Sequence, residues 1–244
     1  MASKPKTTQK ETPNDVQERD TFFSPNYAVE LLLPFIPKNV HRILEPAAGN
    51  GKIVKYLQKK GYDIVGRDIN PKYEYDIVNF LDDTDNYSGF DMIITNPPFS
   101  LKSRFYKKCR EYNIPFGLLI PLDYSSWVCT AISKDSVEKI IPDSRINYIT
   151  PNALSNIYKA ESKKLIEKSE KVKFKKYINI PEYLIVKYSQ ECERFKFNDI
   201  ETCPNELLAK HSASQFHSGW FTWGLGLNKS ETFVKLTSVM KLNI

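Results

Sequence analysis

Asn96, Pro97, Pro98 and Phe99 stand directly after residues 90–95, FDMIIT, a run rich in β-branched and long apolar side chains. Such a run reads as a buried strand. The two prolines stop it at a rigid corner, since each fixes its own φ and Pro98 also holds Pro97 extended. A loop with so few conformations presents its amide and its aromatic ring in fixed places. In open α/β sheets the carboxyl end of a central strand is also where ligands bind.

A second constellation lies upstream. Glu45-Pro46-Ala47-Ala48-Gly49-Asn50-Gly51 joins a predicted strand to a predicted helix and holds two of the chain's nine glycines. Small residues there let the backbone approach a ligand closely, and the start of a helix offers free N–H groups. Asp68 closes the next predicted strand, near the spacing at which an acid meets a ribose diol in dinucleotide folds. Taken singly, the loop is ordinary strand-to-helix sequence and Asp68-Ile69-Asn70-Pro71 is ordinary turn sequence. The order of loop, acid and proline corner is what points to a single site.

The elements that must position these residues follow from periodicity and breakers. Ser24 as N-cap with Pro25 at the first helical position predicts a helix that ends before Pro37. Strands are predicted over 41–45, 62–65 leading into 66–68, 75–78, 90–95, 116–120 and 146–149, and helices over 52–61, 102–112 and 133–140. Strand alternating with helix indicates a doubly wound, mainly parallel sheet. Beyond Pro151 the rhythm breaks, and two placements of the final strand compete, YLIVKY near Tyr183 or GWFTWGL from Gly219. The second is favoured. It divides the chain into a disordered tail (1–20), a core (21–151), an insertion (152–215) and a final strand with the C-terminus (216–244).

Composition narrows the classes. The chain has 244 residues and a formal charge of +6. Its apolar runs are too short for a membrane span and its amino terminus lacks an apolar signal region. Four cysteines, Cys109, Cys129, Cys192 and Cys203, form no dense disulfide pattern, which agrees with a reducing, cytoplasmic compartment. Residues 159–176 hold eight lysines against three glutamates, net +5 of the overall +6. A local basic face on a nearly neutral chain suits a polyanion partner, or is a solvated lysine-rich helix.

With these residues in view, the chain resembles the class I S-adenosylmethionine-dependent methyltransferases that act on adenine N6. The resemblance covers about residues 21–123 and rests on Glu45 to Gly51, Asp68 and Asn96 to Phe99. The order of motifs is similar to the γ arrangement and to phage-type enzymes. It implies a Rossmann-like methyltransferase fold, an α/β doubly wound, mostly parallel seven-stranded sheet with an insertion near the C-terminus. It implies S-adenosyl-L-methionine as cofactor, with Thr21, Phe23 and Ser24 beside the methionine moiety. Glu45, Pro46, Ala47 and the Gly49 to Gly51 backbone would hold its amino-acid end, Asp68 its ribose, and Asn79 with Phe80 its adenine. Asn79 stands where an aspartate is common, so weaker binding is expected there.

At the corner, the resemblance implies that the Asn96 side-chain oxygen and the Pro97 carbonyl accept from the N–H groups of an exocyclic amine, directing its lone pair at the methyl donor. Pro98 keeps the corner rigid, and Phe99 offers a face for an extruded base. The phenylalanine favours a nucleobase over a protein acceptor. DNA is the expected partner, with an RNA methyltransferase of adenine N6 or guanine N2 as the alternative, or an inactive nucleic-acid-binding subunit. Lys163, Lys164, Lys171, Lys173, Lys175 and Lys176 are the expected phosphate contacts, and Tyr124 is placed at the pocket. Cys192, Cys203, His211 and His217 lack the close cysteine pair of common zinc modules, so no metal is expected.

Overall fold

The computed structural model describes residues 22–84, 87–150, 156–157, 159–160, 163–164 and 216–236. The tail (1–20), Thr21, the YLIVKY segment and most of the insertion lie outside the described residues.

Eight strands form one sheet. In chain order they are β1 (Arg42–Glu45), β2 (Asp63–Asp68), β3 (Asp76–Ile77), β4 (Met92–Thr95), β5 (Phe116–Pro121), β6 (Glu138–Pro142), β7 (Ser218–Trp223) and β8 (Glu231–Val234). Their spatial order is β3-β2-β1-β4-β5-β7-β6-β8. All neighbours run parallel except β7, which is antiparallel to both β5 and β6. This is the Rossmann-like, mostly parallel α/β sheet expected, with eight strands where seven were predicted.

Alternation along the strands shows why both faces are covered. Ile43, Met92, Ile94, Leu119 and Trp220 pack in one apolar cluster with Ile53, Val54 and Leu57 of helix α2 (Lys52–Lys59) and Tyr27 to Val29 of helix α1 (Asn26–Glu30). Leu44, Ile93, Leu118, Ile120 and Phe221 point the other way. They join Phe105, Tyr106 and Cys109 of helix α3 (Lys102–Tyr112) and Val128 and Ala131 of helix α4 (Ser126–Asp135). Successive strand side chains face opposite sides, so a strand buried on both reads as a continuous apolar run, as FGLLI does.

Three predicted elements differ. The first helix is only five residues long, its N-cap is Pro25, and the Ser24 side chain makes no cap bond. Pro34 is the reason for its early end: a proline removes a helical N–H and crowds the carbonyl four residues back. Leu32 N–H therefore turns to Val29 O in a tighter 3-10 turn, and the Ala28 carbonyl instead accepts from Trp220 Nε1 at 2.7 Å. The predicted helix over 133–140 is absent. α4 begins earlier and closes at Ser136 in the left-handed region (φ 55°), after which residues 138–142 pair as β6. Residues 146–149 form no sheet strand. Their one pairing is a bridge in which Phe23 and Ile149 exchange backbone bonds of 2.8 and 3.0 Å.

GWFTW does enter the sheet, as β7, although β8 follows it. No helix among the described residues is long and apolar enough to cross a membrane. Cys109 and Cys129 are free thiols.

The Trp220 bond joins the sheet to the short helix that delivers Phe22 to Ser24. Trp220→Phe, which leaves a buried carbonyl without a donor, is expected to lower stability by about 1–3 kcal/mol in urea unfolding. A midpoint within error of the parent would show that this bond does not anchor α1.

Candidate active site

A cavity of about 410 Å³ opens at the carboxyl ends of β1, β2 and β4. Three stretches close together in sequence build one side of it. The loop after β1 contributes Pro46 to Asn50, the end of β2 contributes Asp68 to Asn70, and residues 78–81 follow β3. Phe22, Phe23 and Ser24 form a further wall, next to Asn96, Pro97 and Pro98.

The glycine loop is shaped by backbone conformation. Gly49 and Gly51 both have positive φ, 54° and 76°, which a side chain would resist. Space is also limiting at Gly51, where a Cβ would stand 2.0 Å from the Tyr75 hydroxyl. Tyr75, which carried no signal in the sequence, thus packs over the start of α2. Asp68 is buried, with a relative exposure of 8%. Its Oδ2 accepts from Gly49 N–H and its Oδ1 from Asn70 N–H, each at 2.8 Å. The acid therefore ties the β1 loop to the end of β2, and a carboxylate with about four acceptor positions has capacity left for a ligand.

Glu45 is fully buried below this loop, outside the cavity lining, and accepts from Ala47 N–H at 3.1 Å. Burial pushes its carboxyl up to about 8; the Thr95 hydroxyl and the Ala47 amide pull the other way, and the Asp68 charge adds to the rise. Asn79 also has partners within the protein. Its Nδ2 donates to Asp82, and its Oδ1 accepts from Leu81 N–H at 3.3 Å. Phe80 is buried at the cavity wall, and Tyr73, Ile69 and Val78 complete an apolar face there that no motif announces.

At the corner, Asn96 Nδ2 donates to the Phe22 carbonyl at 2.5 Å. A carbonyl can only accept, so this bond fixes which way the amide is turned. Oδ1 is left buried and, among the described residues, without a hydrogen-bond partner. The Ser24 hydroxyl, freed from helix capping, is likewise buried, unpartnered and at the cavity wall. Phe99 lies beside this wall. Its ring is stacked on Phe22, with centroids 5.0 Å apart and planes 20° apart, and meets the edges of Tyr148 and Phe216. The open face expected for Phe99 is thus covered by Phe22.

Tyr124 needs correction. It is 69% exposed and outside the cavity lining; its hydroxyl donates to Glu231 at 2.6 Å and its ring lies under the ammonium of buried Lys139. Lys163 and Lys164 lie in helical turns, one half-buried and one exposed, while Lys171, Lys173, Lys175 and Lys176 fall outside the described residues. Cys192, Cys203 and His211 do so as well. His217 sits 2.7 Å from the Pro142 carbonyl. Among the described residues no group of three or more His, Cys, Asp or Glu is placed to hold a metal ion.

No protein-family model and no curated protein matches the sequence. Solved structures do resemble it. A proposed S-adenosylmethionine-dependent methyltransferase of Listeria monocytogenes is 14% identical over 39% of this chain and 52% of its own, with a TM-score of 0.33. A TehB-like S-adenosylmethionine-dependent methyltransferase of Corynebacterium glutamicum is 16% identical over 47% and 74%, with a TM-score of 0.35. A phosphoethanolamine N-methyltransferase of Haemonchus contortus, solved with S-adenosylhomocysteine, is 14% identical over 86% and 56%, with a TM-score of 0.37. The match therefore spans about half the length of the Listeria chain. One fold hosts many activities, so the chemistry has to be argued from the site.

Glu45 gives a pH test. Its carboxyl is raised from 4.5 to about 8, so the folded protein holds a proton that the unfolded chain has released. That contribution is complete below 4.5 and is lost as pH rises towards about 8. Unfolding of the ligand-free protein should show stability falling across this window, and Glu45→Gln should flatten the fall. An unchanged slope in the variant would mean that another group carries it.

Proposed function

We propose that the protein is a methyltransferase that uses S-adenosylmethionine to methylate the exocyclic N6 amine of adenine in nucleic acid, with DNA favoured over RNA. The observation that carries this reading is the buried, unpartnered Asn96 Oδ1 at the wall of the cavity, in the strand-end sequence Asn-Pro-Pro-Phe.

The residues present fit the cofactor. The Gly49 and Gly51 turn with the unpartnered Ser24 hydroxyl suits a charged amino-acid end, Asp68 suits a ribose diol, and Ile69, Tyr73, Val78 and Phe80 suit a flat adenine. Bound there, S-adenosylmethionine would supply a sulfonium methyl for direct transfer to nitrogen, leaving S-adenosylhomocysteine and releasing the amine's proton to solvent, with no covalent enzyme intermediate.

The protein's own part is to make the acceptor nitrogen nucleophilic. An adenine amine is a poor nucleophile because its lone pair is delocalised into the ring. Asn96 Oδ1 and the Pro97 carbonyl accept from its two N–H groups and favour a more tetrahedral nitrogen. The Phe22 carbonyl holds the amide in the required orientation before the acceptor arrives, so little reorganisation is needed. The base leaves its stack to reach this position and lies against the aromatic group that contains Phe99.

Labelled S-adenosylmethionine offered with DNA, RNA and protein, followed by identification of the modified nucleoside, tests the reading directly. N6-methyladenosine or its deoxy form is the expected product, and label found only in protein or small molecules would overturn it. Asn96→Ala should reduce transfer by at least about 100-fold, the scale of losing one preorganised hydrogen-bonding group, while cofactor affinity measured by calorimetry persists. Transfer at the parent's rate would remove Asn96 from the mechanism. Neutralising Lys163, Lys164, Lys175 and Lys176 together should weaken polynucleotide binding and flatten its salt slope by roughly 0.7–0.9 for each phosphate no longer neutralised.

A further inference from the structure

Phe22 covers one face of Phe99. Its ring lies on Phe99 at 5.0 Å and 20°, while Tyr148 and Phe216 stand edge-on to both rings of the pair. A phenyl ring and a nucleobase need the same stacking thickness, so one excludes the other from that face. The backbone on the carboxyl side of the ring's attachment is held: the Phe22 carbonyl accepts from Asn96 Nδ2, and Phe23 exchanges two hydrogen bonds with Ile149. Rotation of the ring about its side-chain torsions leaves these bonds in place. The ring also borders the cavity.

We propose that Phe22 is a specificity-determining placeholder. Its ring holds the acceptor slot on Phe99 and gives way only to a flat acceptor that stacks at least as well. This rests on the nucleobase reading above. The same residue thus serves two ends: its carbonyl aligns the Asn96 amide, and its ring sets an entry requirement. Aliphatic amines and side-chain amides have no flat face to replace the phenyl ring on Phe99, so they are rejected without any hydrogen bond being broken. The Phe22–Phe99 stacking that an acceptor must replace is of the size measured for aromatic pairs, equivalent to about a 2- to 10-fold change in affinity.

The test measures how much of binding depends on the base. With S-adenosylhomocysteine present, a labelled thymine oligonucleotide carrying one adenine is compared with the same strand carrying an abasic site at that position. The ratio of the two dissociation constants removes the phosphate contribution. Phe22→Ala should raise this ratio about 2- to 10-fold over the parent, and Phe22→Leu, which keeps apolar bulk without a flat face, should raise it less. A ratio above one in the parent that is unchanged or lower in both variants overturns the placeholder while leaving the acceptor assignment intact. A ratio of one in the parent and in both variants overturns the nucleobase reading and the placeholder with it. Affinity for S-adenosylhomocysteine, measured in parallel, reports whether the cavity has survived; should Phe22→Ala lose it, Phe22→Leu decides.

Discussion

Leaving the Asn96 Oδ1 buried and unpaired costs the folded state about 1–3 kcal/mol, and the surrounding structure has to hold it there. Several separate features do so. β4 is buried along its whole length and delivers the amide at its carboxyl end. Pro97 and Pro98 deny the following backbone the freedom to fold back and satisfy it. The Phe22 carbonyl takes the Nδ2 end, so the amide cannot turn to relieve the oxygen. An acceptor held open in this way is worth more to a ligand's N–H than one that must first shed a partner.

The Phe22 carbonyl is itself placed by interactions far from the corner. The bridge between Phe23 and Ile149 fixes the segment's direction, and α1, only five residues long, begins behind its N-cap Pro25, which leaves Ser24 outside it. That shortness follows from Pro34, and its consequence for hydrogen bonding is absorbed by Trp220, whose indole reaches the Ala28 carbonyl from β7. A capping role for Ser24 would have used up the hydroxyl that instead stands unpartnered at the cavity wall.

The glycine-loop side of the cavity is legible because it is written locally. Glu45 and Asp68 close β1 and β2, the loop to Gly51 follows β1 directly, and period and turn chemistry place such residues within a few positions. α3 was found at its observed bounds for the same reason. Misreadings arose where a long-range partner overrode local pattern. Residues 138–142 have an apolar content that suits a helix, but β7 on one side and β8 on the other supply backbone bonds that a local reading cannot see. Residues 146–149 look like a strand and find only Phe23 to pair with. Tyr124 was placed near the pocket because it follows β5, and a buried lysine with an acid on β8 draws it elsewhere.

The acceptor-side half is assembled from Phe22, Phe99, Tyr148 and Phe216, four rings far apart in sequence. No period or spacing relates them, which is why Phe99 could be read as an open platform when it is one member of a packed group. The asymmetry has a physical basis. A nucleoside-bearing donor is bound by backbone turns and an acid that the fold supplies wherever a strand meets a helix at a switch point. The acceptor side instead has to exclude water and recognise a shape, and close packing of side chains is the means a protein has for that. Such packing is contributed by segments that meet only in the fold, so under the proposed function the motif at the corner would set the type of nitrogen chemistry while the rings around Phe99 would govern which molecule can bring the nitrogen in.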